Sequence, residues 1–294
     1  MDDKRVHLVL GSGGARGIAH FGVLDVLLES GYQIASIAGS SMGAVVGGIY
    51  AAGFHDAHRE LMLSLTKTKM LSLFDFTISK SGFLKGERIF TELKQFSENP
   101  QIEDFRIPFT AVATDLTQKK EVWFRSGALY KALRASIAIP GVFTPVLEKR
   151  HLLVDGGVMN PLPLNAIQRE SGAIVVAVNV NGSVPYTPVA AGGKSEENQM
   201  LKEIKRWLNL YTNATPSEVE RVLQNNSLSE IIRYSFYMTQ DRITQLMLDL
   251  HPPDVYIEVG RDACAIFEFY KAREMIALGR ELCLQALRKR DSGA

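Results

Sequence analysis

IASIAGSSMGAVVGGIYAA, residues 34–52, sets a short apolar run against a longer one, with a serine held between glycines at the junction. Ile34–Ala38 is compact and closed by Gly39, as a buried parallel strand would be. Ala44–Ala52 reads as a helix. The junction Gly39-Ser40-Ser41-Met42-Gly43 fits the G-x-S-x-G pattern, in which a tight strand-to-helix turn presents the central serine, Ser41. Such a turn cramps the backbone at Ser41, and the flanking Gly39 and Gly43 leave room where side chains would collide. The hydroxyl then sits at a helix start, where free N–H groups favour developing negative charge. Ser40 is the competing hydroxyl, but it lacks the symmetric glycine flanks.

Working outward, Val6–Leu10 reads as a second buried strand, and Ile18–Leu28 as a buried helix ended by Gly31. Further strands are expected at Phe109–Thr114, Val122–Phe124, Leu152–Val154, Ile174–Val180 and Val255–Val259, with helical segments between many of them. This interleaving predicts an α/β fold, three layers α/β/α around a mainly parallel sheet. Residues 182–197 (GSVPYTPVAAGGKSEE) read as a long mobile loop. Residues 198–251 read as a helical insertion, and the strand and last helix within 252–290 return the chain to the sheet. One domain over 1–294 is therefore expected, with its core in 6–181 plus 252–290. In the insertion, Leu201, Ile204, Trp207, Leu208 and Tyr211 share one helical face, with Lys202, Lys205 and Arg206 elsewhere on the wheel. That face is either core or a patch for peripheral contact with a lipid surface.

The 294 residues, 46% hydrophobic and 22% charged, can bury a sizeable core. A net charge of +1 lacks the basic footprint of a nucleic-acid partner, so none is expected. Cys264 and Cys283 are two thiols without metal-ligand or disulfide spacing, so no metal site is expected. The start, MDDKRVHLVLGSGG, is not a secretory signal, and no apolar run reaches the ~18 residues of a membrane span. The expectation is a cytoplasmic protein whose membrane contact, if any, is peripheral.

GSGGARG, residues 11–17, is a second glycine-rich turn after a strand. A dinucleotide fingerprint fails because its third glycine position holds Arg16, and a P-loop fails because the run ends Arg16-Gly17-Ile18. What remains is a loop of unshielded N–H groups at Gly13 and Gly14, with Arg16 adding positive charge. That is the equipment of an oxyanion hole.

Gly13-Gly14-Ala15-Arg16-Gly17, Gly39-x-Ser41-x-Gly43 and Asp155-Gly156-Gly157, in that order, resemble the three signature blocks of the patatin-like phospholipases, in the spacing of the compact bacterial members. Ser81–Gly86, Arg134-Ala135-Ser136 and Ile139-Pro140-Gly141 are also similar. The resemblance runs from about Val6 to Val180 and, more weakly, over Asp254–Leu287. Ser12 departs from it, standing where many members carry the first glycine of a triple. The resemblance implies a patatin-like fold and a Ser–Asp dyad, with Ser41 as nucleophile and Asp155 as base. It also implies oxyanion donors at Gly13 and Gly14, and hydrolysis of acyl esters of phospholipids or lysophospholipids through an acyl-enzyme, without a cofactor.

Two rival readings stand beside it. A Ser-Asp-His triad needs a histidine after Asp155, and the sequence offers one, His251, in a Leu-His-Pro-Pro context that suits a loop better. His20, inside the helix after the glycine loop, reads as a hydrogen-bonded core histidine. The second rival is a catalytically silent lipid-binding or regulatory module, against which the intact Ser41, Asp155 and paired glycines argue.

Overall fold

Alternation of burial along the strands builds the two faces of the sheet. In β1 (Arg5–Leu10), Val6, Leu8 and Leu10 enter one apolar cluster and Val9 enters another. In β9 (Ala173–Gly182), Val176, Val178 and Val180 likewise oppose Val175 and Ala177. A pleated strand sends successive side chains to opposite faces, so both faces must be covered. In the computed structural model, which describes residues 4–73, 75–79, 82–98, 100–167, 169, 171–184, 186 and 228–292, they are.

The remaining strands are β2 (Gln33–Ser40), β5 (Phe109–Asp115), β6 (Lys120–Phe124), β7 (Val146–Glu148), β8 (His151–Asp155) and β10 (Val255–Gly260), while β3 (Phe76–Ser79) and β4 (Gly82–Leu84) form a separate hairpin. The main sheet has eight strands in the order β10-β9-β1-β2-β5-β8-β7, and β6 also pairs with β5. The pairings from β10 to β5 are parallel; β5/β8, β8/β7 and β5/β6 are antiparallel. The sheet is thus mostly parallel, with an antiparallel end.

On one face lie α1 (Ala19–Glu29), α2 (Met42–Ala51) and α8 (Ala272–Asp291), whose Phe21, Val46 and Ile276 share the larger cluster. On the other, α7 (Leu228–Leu250) places Met247 and Leu248 against the cluster of Val9, Ala38 and Val112. The layers are α/β/α. The crossover from β2 to β5 carries α2, α3 (His55–Leu63), α4 (Lys67–Leu73) and α5 (Glu87–Leu93); α6 (Leu129–Ser136) follows β6. The hairpin β3/β4 and the strand β7 were not expected from the sequence, being three or four residues long and too short to show a period.

One register relation positions the site. Ser40, the last residue of β2, pairs with Val112 of β5, and the next residue of β5, Ala113, pairs with Asp155 at the end of β8. The ends of β2 and β8 therefore lie at one level, two strands apart, roughly 10 Å between backbones. β8 reaches that level because it runs antiparallel to β5.

Most of the stretch read as a mobile loop, and the Leu201–Tyr211 face with Trp207 and its basic neighbours, lie outside the described residues. Among the described residues, no helix is long and apolar enough to cross a membrane.

Candidate active site

Ser41 joins β2 to α2 with φ 54° and ψ −123°, a backbone conformation that L-residues with a Cβ rarely adopt. The strain persists because the surroundings over-determine it. The Ser41 N–H donates to Ser136 Oγ at 2.9 Å, and the Ser136 hydroxyl donates onward to the Val112 carbonyl at 2.6 Å. The Ser41 carbonyl accepts from the Val45 N–H at 3.1 Å and so starts α2. Gly43 is where the helix meets β1: a Cβ there would lie 2.1 Å from the Leu10 carbonyl oxygen. The rival Ser40 is fully buried, its hydroxyl unpartnered among the described residues, and it borders neither cavity that reaches Ser41.

The Ser41 hydroxyl donates to Asp155 Oδ2 at 2.5 Å. The other carboxylate oxygen accepts the Gly157 N–H at 2.7 Å, so the Asp155-Gly156-Gly157 turn holds its own aspartate. Burial pushes the Asp155 carboxyl up to about 7 from an ordinary 3.8, while hydrogen bonds from Ser41 and Gly157 pull the other way. A free aspartate is too acidic to be a useful base near neutrality, and the shift moves Asp155 toward that range.

The glycine loop offers two amides to the same place. The N–H groups of Gly11, Ser12 and Ala15 donate to the carbonyls of Val178, Pro161 and Ile266, at 2.9, 2.8 and 2.8 Å. Among the described residues, those of Gly13 and Gly14 meet no acceptor, and both residues border the polar cavity that also exposes Ser41 and Asp155. Gly14 has φ +57°, and a Cβ on it would lie 2.2 Å from Ile266 Cγ1. His20 supports the loop from the core: its Nε2–H donates to the Gly11 carbonyl at 3.0 Å, and burial lowers its pKa to about 4, so the ring is neutral.

Arg16 borders the same cavity as Gly13 and Gly14. Its side chain is buried, donating to the Val180 carbonyl at 2.8 Å, to Asn181 Oδ1 at 2.6 Å and to the Cys264 carbonyl at 3.2 Å. A guanidinium so engaged is not an open cation; it ties the glycine loop to β9 and to the 261–264 turn. Its sequence context, next to bare glycines, could not show that its carbonyl acceptors come from 164 to 248 residues away.

Ser41 stands where two cavities meet. One has a largely apolar wall, with Val45, Met62, Leu65, Phe90, Phe143 and Phe267 among its residues. The other is smaller and more polar, bounded by Ser12, Asn181 and the inner side of α7 at Phe236, Tyr237 and Gln240. Gln240 donates its side-chain amide to the Gly157 carbonyl at 2.8 Å, fastening α7 to the turn that carries Asp155. No hydrogen bond joins a described histidine to Ser41. His251 lies just past the end of α7, its N–H donating to the Met247 carbonyl at 2.9 Å. Sequence reasoning gave no role to Ser136 or Gln240. Ser136 stood in a motif noted for resemblance alone, and Gln240 carried no local signal.

The sequence profile described as "Patatin-like phospholipase" matches residues 8–167, which span the glycine loop, the Ser41 elbow and Asp155. The chain belongs to the patatin-like phospholipase family. An uncharacterized NTE family protein of Mycobacterium bovis is 36% identical, the match covering 96% of this patatin-like chain and 91% of the relative. Lysophospholipase NTE1 of Cryptococcus neoformans var. neoformans is 31% identical over 79% of this chain, but this corresponds to 14% of that much longer protein. Patatin-like phospholipase domain-containing protein 6 of mouse is also 31% identical, over 69% of this chain and 15% of its own length. The crystal structure of VipD from Legionella pneumophila superposes with a TM-score of 0.51 at 13% identity, over 99% of this chain and 67% of that one, a likeness of fold alone.

Proposed function

We propose that this patatin-like chain is a serine acyl hydrolase that cleaves acyl esters of phospholipids or lysophospholipids. The observation that carries the reading is the 2.5 Å hydrogen bond from Ser41 Oγ to Asp155 Oδ2, made at a strained turn that opens on an apolar cavity. Family membership and the lysophospholipase name of one relative support the lipid substrate.

The acyl chain lies in the apolar cavity and the alcohol portion in the polar one. Ser41 Oγ attacks the ester carbonyl carbon as its proton passes to Asp155. The carbonyl oxygen becomes an oxyanion and accepts the N–H groups of Gly13 and Gly14. Preorganised donors of this kind are worth about 3–4 kcal/mol of transition-state stabilisation each. The intermediate collapses, the C–O bond of the ester breaks, and Asp155 returns its proton to the departing alkoxide. Water then attacks the acyl-Ser41 carbonyl, giving its proton to Asp155, and the fatty acid leaves as Ser41 is restored. Contact with a membrane, on this reading, is peripheral.

The test is release of fatty acid from lysophosphatidylcholine by the purified protein, with labelling of Ser41 by a fluorophosphonate located by mass spectrometry. Wild type releases acid and is labelled; Ser41→Ala, folded by circular dichroism, does neither. A folded wild-type protein that neither turns over nor takes the label would favour the silent binding module.

A further inference from the structure

The apolar cavity has two polar side chains in its wall besides Ser41, and they differ in kind. Glu92 is half-buried and accepts the Gln95 amide at 3.2 Å. His58, on α3, is 1% exposed, and no side-chain hydrogen bond reaches it among the described residues. Its ring is packed against Phe21, edge-on at 5.1 Å between centroids, and against Phe96 at 6.5 Å. A phenyl ring would fill that slot without desolvating two nitrogens. A buried polar group left without a hydrogen bond is a net loss to the fold and asks for an explanation.

The placement of the two nitrogens supplies one. Nδ1 is enclosed and, among the described residues, unpartnered, whereas Nε2 is not so enclosed and the ring lines the cavity, so we assign Nε2 to the cavity side. Burial lowers the imidazole pKa to about 3, so the ring is neutral and carries one proton. An enclosed orphan acceptor is more tolerable than an enclosed orphan donor, so the proton belongs on Nε2, where a ligand can meet it. The cavity wall therefore presents one hydrogen-bond donor in otherwise apolar surroundings, set apart from the glycine amides at Ser41.

We infer that the cavity selects acyl chains bearing an oxygen function along their length, a hydroxyl or a carbonyl, which accepts a hydrogen bond from His58 Nε2. This rests on the reading of the cavity as the acyl site. An apolar tube without a donor would disfavour such a chain, because its oxygen would lose water and gain nothing. A tube with one donor at a fixed depth favours the chain whose oxygen stands at that depth, and disfavours the same oxygen displaced by a few carbons.

The experiment compares kcat/KM for stearoyl lysophosphatidylcholine with that for two series, hydroxystearoyl and ketostearoyl, in which the oxygen is stepped along the chain. The expected result is one position preferred over the plain chain by about threefold to tenfold, the range of a neutral hydrogen bond. In His58→Phe that preference inverts. The ratio of oxygenated to plain substrate within each protein is the readout, so a general loss of activity does not affect it. If His58→Phe fails to fold, His58→Met serves in its place. If neither folds, the ¹⁵N shifts of the His58 ring in Ser41→Ala carry the test, moving when the preferred chain is added and not when the plain one is. No preferred position, or a preference that survives loss of the imidazole, overturns the inference while leaving hydrolysis of plain chains intact. Absence of turnover on every chain, with Ser41 unlabelled by a fluorophosphonate, is instead the failure of the hydrolase reading.

Discussion

Ser136 holds Ser41 from behind: its hydroxyl accepts the Ser41 N–H at 2.9 Å while donating to the Val112 carbonyl at 2.6 Å. One side chain at the end of α6 thus ties a backbone conformation at φ 54° to the neighbouring strand. Ser136→Ala removes both hydrogen bonds. The expected outcome is a loss of about 1–3 kcal/mol of stability and a fall of roughly 10–100-fold in kcat with KM little changed, since misplacement of about 1 Å costs on that order. Steady-state kinetics and denaturant unfolding check it. Ser136→Thr, which keeps the hydroxyl, restores much of kcat; a purely structural role would instead lower activity only in step with the folded fraction.

Asp155 predicts a pH profile. Its carboxyl is raised to about 7 by burial, and its basic form is the ionised one. kcat/KM should therefore rise with pH through about 7, with a limiting slope near one in log units on the acid side.

The same shift sets the stability of Asp155→Asn. A carboxyl whose folded pKa is raised from 3.8 to about 7 contributes stability that is complete below 3.8 and is lost as pH climbs through 7. Asp155→Asn has no such loss. The variant should be inactive, and its Tm should exceed that of wild type by several degrees at pH 8, with the difference closing toward pH 4. Thermal melts at the two pH values decide; a variant less stable at pH 8 than at pH 4, relative to wild type, contradicts the burial argument.

Gly14 and Gly31 make a matched pair. Both have positive φ, +57° and +79°, but a Cβ on Gly14 meets Ile266 at 2.2 Å whereas nothing lies within 4 Å of one on Gly31. Gly31→Ala should cost about 1 kcal/mol of stability and leave kcat intact. Gly14→Ala must shift the loop and its free amides, and kcat should fall about 100–1,000-fold, as for a lost oxyanion donor.

His251→Ala separates dyad from triad. With the Ser41 hydroxyl bonded to Asp155 and His251 beyond the end of α7, its removal should change kcat/KM by less than about twofold, against the roughly 10⁴-fold or greater loss of a triad histidine.

Much of the architecture was legible because it follows from short-range patterns. Val6–Leu10, Ile34–Ala38 and Ile174–Val180 announce buried strands by their largely apolar character, and each lies within a strand of the parallel part of the sheet. The hairpin Phe76–Leu84 and the strand Val146–Glu148 gave no such signal, since three or four residues cannot display a period. The candidate site residues divided in the same way. Ser41 and the paired glycines are written in adjacent positions, because a tight turn is a matter of neighbouring sterics. The partners of Arg16 were not legible for the opposite reason: its acceptors on β9 and at Cys264 are far away in the chain. Ser136 and His58 are ordinary residues by type, distinguished by what surrounds them.

By itself, then, the sequence determined the elbow at Ser41, the bare loop at Gly13 and Gly14, and the alternation of strands and helices, all of which depend on residues a few positions apart. Only the tertiary structure decided that β8 runs against β5 and stops level with β2, which brings Asp155 to 2.5 Å from Ser41. Only burial in that setting lifts the aspartate to about 7. Strand direction and desolvation depend on which distant segments pack together, a property of the whole chain that no local pattern encodes.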